Sequence, residues 1–303
     1  MDPQRSEDIH HNTPSAARQN SAGDVATNCP VCEAPVLAGD TYCEACGHAL
    51  GAPNCASCGA AAVDAEGYCE RCGLRQPTGR DHAETVLDGG PAAVTDRGLR
   101  RSRNEDAVAL LTAGDAIVTV VCDGVGSSPR ADEASAVAVE TASAALARGL
   151  PQQEAFELAG RAVTKLATSM DDAPACTYVA AVVERGRITL GWAGDTRAYW
   201  LPDAPDRPAD MLTVDDAIET GEITGWLGAD AENVPLHVRA LAPEEPGLLL
   251  VCSDGLWRYL DGYTFPRTGT PIDMAREMLR HALDSGGQDN VTIALIPLGV
   301  THG

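Results

Sequence analysis

Eight of the eleven cysteines fall into two copies of one pattern, Cys29-x2-Cys32-x10-Cys43-x2-Cys46 and Cys55-x2-Cys58-x10-Cys69-x2-Cys72. Neighbouring residues repeat with them: Asn28 with Asn54, Tyr42 with Tyr68, Gly47 with Gly73. Two thiolates separated by two residues bind one ion from a tight turn, and two such turns complete a tetrahedral zinc site. Four sulfur ligands leave no open position, so such a site is structural. Each copy is too short to fold on an apolar core alone, and metal binding would supply its folding energy. A pair of redox CxxC motifs is the rival reading, which a four-cysteine unit repeated in register disfavours. The remaining thiols, Cys122, Cys176 and Cys252, sit within or at the ends of apolar runs and read as small buried hydrophobes.

A second set of residues offers hard oxygen ligands. Carboxylates stand beside glycine or at the ends of apolar runs in five places: Arg101-Ser-Arg-Asn-Glu105-Asp106, Asp123-Gly124-Val-Gly126, Gly194-Asp195-Thr-Arg197, Ser253-Asp254-Gly255 and Gly287-Gln-Asp289-Asn290. Any one of them could be an ordinary turn residue; five within one domain are not readily dismissed that way. If those ends meet at one edge, the carboxylates repel one another unless hard divalent cations lie between them. No histidine falls within these motifs, which favours Mg²⁺ or Mn²⁺ over a catalytic zinc.

The elements that must position these groups are legible as short β-branched runs bounded by Gly, Asp or Pro: 116–122, 176–184, 187–193, 196–201, 247–252 and 290–296. Only Arg185 and Gly186 separate the second run from the third, which demands an antiparallel hairpin. Residues 131–148, 152–169 and 272–283 read as amphipathic helices. Hairpins with paired helices predict an α+β fold in which helices cover sheets. With 4% aromatic and 44% apolar residues, the core must be built from Ala, Val and Leu. Four regions separate: a polar tail at 1–27 that reads as disordered, the cysteine repeat at 28–74, a polar connector at 75–83, and a globular region at 84–298.

Formal charge is −22, with a single lysine, Lys165, among 22 basic residues. Phosphate backbones are bound by clustered cations, so nucleic acid is a poor partner. Between Cys29 and Leu74 stand Glu33, Asp40, Glu44, Asp64, Glu66 and Glu70 against the one Arg71, and four thiolates on one divalent ion add further negative charge. A structural or protein-docking role suits that surface. The first residues carry no apolar stretch and no apolar run could span a bilayer, so a cytoplasmic protein without a membrane segment is expected. A reducing compartment agrees with cysteines used as ligands.

Two resemblances add to this reading. The cysteine repeat resembles the double zinc ribbon of prokaryotic regulatory proteins. The succession VTDRGLRRSRNEDA, VCDGVGSS, GWAGDTRAYWL, LLLVCSDGLW and GGQDNVTIALI is similar, in order and over about 84–298, to the metal-dependent protein serine/threonine phosphatases of type 2C in their bacterial form. That resemblance implies two packed antiparallel sheets flanked by helices, an αββα sandwich. It implies that Asp123 bridges two Mn²⁺ or Mg²⁺ ions with the Gly124 carbonyl as a further ligand, and that Asp254 and Asp289 complete the first site. Glu105 and Asp106 would support the second, directly or through water, and Asp195 with Asp254 would hold a weaker third ion. Arg101 would grip the substrate phosphate, for which a guanidinium fork is suited; Arg100 and Arg103 leave that register open.

The chemistry implied is hydrolysis of phosphoserine and phosphothreonine in proteins by a water activated between two ions, reversing protein kinases. Val125 stands where eukaryotic members often carry His, Ser127 where a second glycine is common, and Cys176-Thr177 where Gly-Thr-Thr is usual. The stretch 201–241, where a substrate-facing flap would lie, looks shortened, so substrate choice is less constrained than catalysis. A phosphoprotein-binding adaptor of weak activity and a phosphatase of small phosphorylated metabolites remain open alternatives.

Overall fold

The computed structural model describes residues 27–299, except 30, 38–39, 41, 49, 51–52, 57, 65–66, 75, 77–78, 170, 205 and 232–233. The polar tail therefore lies outside the described residues except for Thr27. The chain divides into two compact units, 1–76 and 77–303.

In the first unit β1 (Thr27–Asn28) pairs antiparallel with β2 (Pro35–Val36). Each cysteine pair opens the same turn. The N–H of the first cysteine donates to the carbonyl five residues on, as Cys29 to Ala34, Cys43 to His48, Cys55 to Ala60 and Cys69 to Leu74. The N–H four residues on donates back, from Glu33, Gly47, Gly59 and Gly73 respectively. That fourth residue has left-handed backbone in every case, with φ 62° at Glu33 and 75°, 74° and 74° at the three glycines. The apolar clusters beside the turns are small: Cys29, Val36 and Cys43 in one copy, and Cys55, Ala60, Ala62, Val63 and Cys69 in the other. Buried His48 ties the copies together, its Nδ1 2.6 Å from Glu70 Oε2 and its Nε2 2.9 Å from the Ala61 carbonyl.

The second unit runs β3 (His82–Val86), β4 (Ala92–Asp96), β5 (Ala107–Ala113), β6 (Ala116–Cys122), α1 (Ala131–Ala147), α2 (Gln152–Thr164), β7 (Ala175–Cys176), β8 (Tyr178–Glu184), β9 (Arg187–Ala193) and β10 (Arg197–Pro202). It continues through β11 (Asp210–Met211), β12 (Leu227–Gly228), β13 (His237–Leu241), β14 (Gly247–Cys252), α3 (Asp254–Trp257), α4 (Pro271–Asp284) and β15 (Val291–Leu298). One sheet has the order β11-β10-β14-β15-β4-β3 and the other β13-β9-β8-β6-β5, every pairing antiparallel. The expected hairpin at Arg185-Gly186 joins β8 to β9, pairing Glu184 with Arg187.

Alternation along the strands builds three apolar layers. Val118, Val120 and Cys122 of β6 face Ala134, Ala138, Ala142 and Ala145 of α1. Val121 points the other way, into a layer with Ile188, Leu190, Leu249, Val251, Ala294 and Ile296. Leu250, Cys252, Val291, Ile293 and Leu295 meet Met274, Met278 and Leu279 of α4. The two sheets thus pack face to face with helices outside, the αββα sandwich. Both faces of β14 and β15 are covered, which is why β14 reads as an unbroken apolar run and β15 as one interrupted only by Thr292 and Pro297. Cys122, Cys176 and Cys252 are fully buried, as small hydrophobes are. Burial pushes the Cys122 and Cys252 thiols well up from their ordinary range.

Some expectations shift. The run 176–184 is broken at Thr177 into β7 and β8, and β3 begins at His82, inside the stretch expected as connector. The helix expected to reach 169 ends at Thr164. Thr168 Oγ1 donates to Asp172 at 2.5 Å and Ser169 Oγ accepts the Asp172 N–H at 3.1 Å, local bonds that compete with a further turn.

Glu33 is the one non-glycine among the four left-handed turn residues, a conformation that costs an L-residue about 1–2 kcal/mol. Glu33→Gly is therefore expected to raise the unfolding midpoint of the first unit. Thermal unfolding of the variant in zinc-containing buffer, followed by hydrogen exchange of residues 27–76, checks it; a lowered midpoint would contradict it.

Candidate active site

Strand ends converge on one hollow of about 240 Å³, lined by Arg101, Asp123, Gly124, Thr177, Asp195, Asp254, Arg258 and Asp289 among others. Asp123 follows β6, Asp195 lies in the link from β9 to β10, Asp254 follows β14 and opens α3, and Asp289 precedes β15. Because β6 belongs to one sheet and β14 and β15 to the other, the two-sheet packing is what brings these carboxylates together. Asp106 is buried behind the wall, and Glu105 is half-buried beside it.

The backbone beneath is fixed by buried polar side chains. Thr177 Oγ1 accepts the Asp123 N–H at 3.0 Å and lies 2.6 Å from Thr196 Oγ1, so it joins the Asp123 and Asp195 turns. Asn290 Nδ2 donates to the carbonyls of Arg97 (2.8 Å) and Arg103 (2.9 Å), while its Oδ1 accepts the Glu105 N–H at 2.8 Å. One side chain thereby staples the loop that carries Arg101 and Glu105. Ser253 Oγ donates to Asp106 Oδ2 at 2.7 Å, and Trp257 Nε1 donates to the Asp195 carbonyl at 2.8 Å. Gly124 has no room for a side chain: a Cβ there would lie 2.8 Å from both Ala131 Cβ and the Glu105 carbonyl. A Cβ on Gly255 would collide with the Asn290 carbonyl.

Arg101 Nη2 donates to Asp289 Oδ2 at 2.6 Å, at the rim of the hollow. Arg103 turns away to Asp132 on α1, 3.1 Å distant, and Arg100 is exposed. Of the three arginines in the RRSRNED segment, Arg101 lines the hollow and Arg100 and Arg103 do not. The arginine of the GDTR segment has a different use: Arg197 clasps Asp215 through Nε and Nη2 (2.9 and 2.7 Å) and lies 3.5 Å over the Trp257 ring.

Burial and mutual repulsion push the carboxyls up. Asp106 rises to about 7, chiefly through burial, and Asp195 to about 6 through burial and then the charge of Asp254. Asp123 rises well above the usual range through burial and the charges of Asp106, Asp254, Asp195 and Asp289. Burial also raises Asp254 and Glu105. Asp106 Oδ1 and Asp254 Oδ1 are buried with no hydrogen-bond partner. Crowded, orphaned carboxylate oxygens without a histidine among them are a donor set that fits hard divalent cations.

The cysteine sets differ. Sγ atoms lie 3.7 Å apart for Cys29–Cys46 and 3.6 Å for Cys32–Cys43, and the second copy repeats this for Cys55–Cys72 and Cys58–Cys69. Zinc–sulfur bonds of about 2.3 Å make a tetrahedron with edges of about 3.8 Å, so each set fits a zinc ion. Among the described residues, these are the sets whose ligand atoms all lie within 4.8 Å of one another; the carboxylates surround a wider space.

The sequence reading missed Arg258, Thr177, Ser253 and Asn290 as parts of the site. Arg258 lines the hollow and bonds Asp254 Oδ2 at 2.7 Å, a pairing that i,i+4 spacing could have flagged. The others act through contacts between distant segments and carry no local signal.

The family model for protein phosphatase 2C matches residues 99–291. Serine/threonine phosphatase stp of Listeria monocytogenes is 28% identical, over 69% of this chain and 95% of that protein. A crystal structure of a bacterial serine phosphatase superposes with a TM-score of 0.61 at 22% identity, covering 69% of this chain and 98% of that one. The catalytic domain of serine threonine protein phosphatase PstP, in complex with two manganese ions, gives 0.59 at 24% identity over 69% and 98%. At those identities the two structures speak to the fold alone.

Raised carboxyls fix the sign of a pH effect. Unfolded aspartates ionise near about 3.9, whereas Asp195 and Asp106 titrate at about 6 and about 7 in the fold. Between those limits the metal-free fold holds more protons than the unfolded chain, so its stability falls as pH rises. All four tryptophans, Trp192, Trp200, Trp226 and Trp257, lie in the second unit, so their fluorescence reports its unfolding alone. Without added Mn²⁺ or Mg²⁺ the midpoint is expected to drop between about pH 5 and about pH 7.5. Added Mn²⁺ should restore it most at the upper end. A midpoint flat across that range in both conditions would show that the carboxyls are not crowded.

Proposed function

The chain belongs to the protein phosphatase 2C family, and from that premise we propose that it hydrolyses phosphoserine and phosphothreonine in proteins, opposing intracellular protein kinases. The observation that carries the proposal is the hollow of buried carboxylates with Arg101 at its rim. The names of its relatives support the substrate class.

Asp123, the Gly124 carbonyl, Asp254 and Asp289, with Glu105 and Asp106 behind them, would hold two Mn²⁺ or Mg²⁺ ions, and Asp195 with Asp254 a weaker third. That the PstP catalytic domain holds two manganese ions agrees with two divalent ions here; the choice of ligands rests on this chain's own crowded carboxylates. When bound, such ions supply positive charge against the phosphate dianion and let water ionise near neutral pH. Arg101 presents its guanidinium fork to two phosphate oxygens, orienting the ester so that water can attack opposite the leaving alkoxide. Water adds to phosphorus, the bond from phosphorus to the serine or threonine oxygen breaks, and that oxygen takes up a proton. Among the described residues that line the hollow, no serine or cysteine is placed as a nucleophile. Thr177 Oγ1 is committed to the Asp123 N–H and Thr196, and Cys122 and Cys252 are buried with raised thiols. The reading is therefore direct hydrolysis without a phosphoenzyme.

We assign 28–74 to two zinc ribbons, each four-cysteine set holding one structural zinc, and the sandwich that follows to the catalytic domain. The ribbons would position the enzyme on a protein partner, raising the effective substrate concentration. No helix among the described residues is long and apolar enough to cross a membrane, and with its thiols used as ligands the protein is assigned to the cytoplasm.

Release of phosphate from a phosphopeptide, stimulated by Mn²⁺ or Mg²⁺ and abolished by chelator, is the direct test; full activity in excess chelator would sink the proposal. Asp123→Asn is expected to lower kcat by several orders of magnitude, since each ion contributes several kcal/mol of transition-state stabilisation. Arg101→Ala should chiefly raise KM, and Arg103→Ala should leave both nearly unchanged. The reverse pattern between the two arginines would overturn their assignment.

The ribbons are expected to be dispensable for the chemistry. Arg80 Nη2 donates to the Asp132 carbonyl, and the Arg80 and Asp81 carbonyls accept from Asn104 and Arg97, so a shortened chain should begin at residue 77, ahead of both. It should hydrolyse a small aryl phosphate as fast as the full chain and a cognate phosphoprotein more slowly. Metal analysis should give about two zinc ions for the full chain and none for the shortened one. Loss of activity on the small ester would show that the ribbons belong to the catalytic fold.

A further inference from the structure

Beside the catalytic hollow lies a second, larger cavity of about 430 Å³. Val125 and Ile223 line both, so the two are neighbours across a low apolar ridge. Apolar lining comes from Pro129, Ala173, Ala175 and the half-buried ring of Trp226. Its charged lining is all of one sign: Asp171, Glu222 and Asp230 are exposed around it, and no Lys, Arg or His lines it among the described residues. Arg130, near the same loop, is turned to Asp172 at 2.9 Å and Glu133 at 3.1 Å.

The walls are held in place. Ser128 Oγ donates to the Val125 carbonyl at 2.9 Å and accepts the Ala175 N–H at 3.1 Å, fastening the loop after β6 to the start of β7. Trp226 Nε1 donates to Asp230 Oδ1 at 3.0 Å, which fixes both the ring and the carboxylate. Glu222, Trp226 and Asp230 belong to the shortened stretch between β10 and β13, and Asp171 to the link between α2 and β7. The charged rim of the cavity thus comes from two segments outside the catalytic carboxylates, while the loop that follows Asp123 and Gly124 supplies part of its wall.

We propose that this cavity is a specificity subsite for a basic residue close to the phosphorylated serine or threonine. Arginine and lysine suit it because an aliphatic stem can lie on the apolar lining while the cationic head meets the rim carboxylates. The Trp226 face adds a cation–π contact, which favours a guanidinium. An acidic neighbour would meet three carboxylates of its own sign. The proposal rests on the phosphatase reading of the adjacent hollow and names which phosphoproteins that hollow receives.

The test uses the full chain with Mn²⁺ and a set of phosphothreonine peptides. A single arginine is moved through the three positions on either side of the phosphoresidue, with alanine and glutamate peptides as references and a small aryl phosphate as the internal standard. At one position or more, kcat/KM should exceed that of the glutamate peptide about tenfold, as about 1.4 kcal/mol of partly exposed charge pairing gives. That ratio should shrink at high salt. In the combined variant Asp171→Asn, Glu222→Gln and Asp230→Asn, which keeps shape and hydrogen bonding, the ratio should fall to near one while aryl phosphate turnover stays unchanged. Equal rates for all peptides in the parent, or a preference that survives the triple variant, overturns the subsite while leaving the phosphatase reading intact. If the parent hydrolyses no ester, that reading fails, and anisotropy of the same peptides, fluorescently labelled, then decides. Tighter binding of the arginine peptide, lost in the variant, sustains the subsite, and equal affinities overturn it.

Discussion

Like charges withheld from water set the terms of the catalytic unit. Asp106, Asp123, Asp195 and Asp254 each resist ionisation through burial and through one another, and Asp289 adds its charge to Asp123 and Asp254. Left to itself such a cluster pushes its members apart or keeps protons it would otherwise lose. The fold prevents the first by hanging the carboxylates on strands from two sheets whose packing buries Val121, Leu249, Val251 and Ala294 between them. Separating the carboxylates would expose that layer. The apolar sandwich therefore opposes an electrostatic strain that cations can relieve.

The restraint is finer than the sandwich alone provides. Asn290 reaches the loop bearing Arg101 and Glu105 with three hydrogen bonds, and Thr177 joins the turns of Asp123 and Asp195. These are neutral polar groups whose hydrogen bonds are met, so they add rigidity without adding charge. Asp106 and Asp254 each keep an unpartnered oxygen in that otherwise satisfied network. Those two atoms keep bonding capacity that a hard cation would satisfy.

Strands covered on both faces were legible because GLLLVC and VTIALI are apolar but for Thr292, whose hydroxyl meets that of Thr95, and the short spacing at Arg185-Gly186 dictated a hairpin. The strands that went unread are of another kind. β3 is exposed along its length at a sheet edge, β13 is another edge strand, and β4 and β5 are rich in alanine, which signals no strand. In the site, aspartates at strand ends announced themselves by position and by adjacent glycine, and Gly124 and Gly255 are there because nothing larger fits. Arg101 and Arg103 could not be told apart in one dimension. Only the partners they meet, Asp289 and Asp132, separate them. Ser253 and Asn290 depend on segments far away in the chain and were invisible for the same reason, whereas Arg258 meets Asp254 only four residues before it.

The chain offers two donor chemistries, and spacing suits them to different work. Sulfur atoms at 3.6–3.7 Å define a volume that one tetrahedral ion fills. The turns that hold them repeat the same pair of hydrogen bonds four times, as a closed structural site requires. The carboxylates instead border a hollow of about 240 Å³ that is open to an arginine at its rim. Hard cations there would keep coordination positions for water and phosphate oxygens, which a closed thiolate site cannot offer. Donor type alone would separate zinc from manganese or magnesium. The distance between donors is what separates a site that holds a fold together from one that leaves room for a substrate.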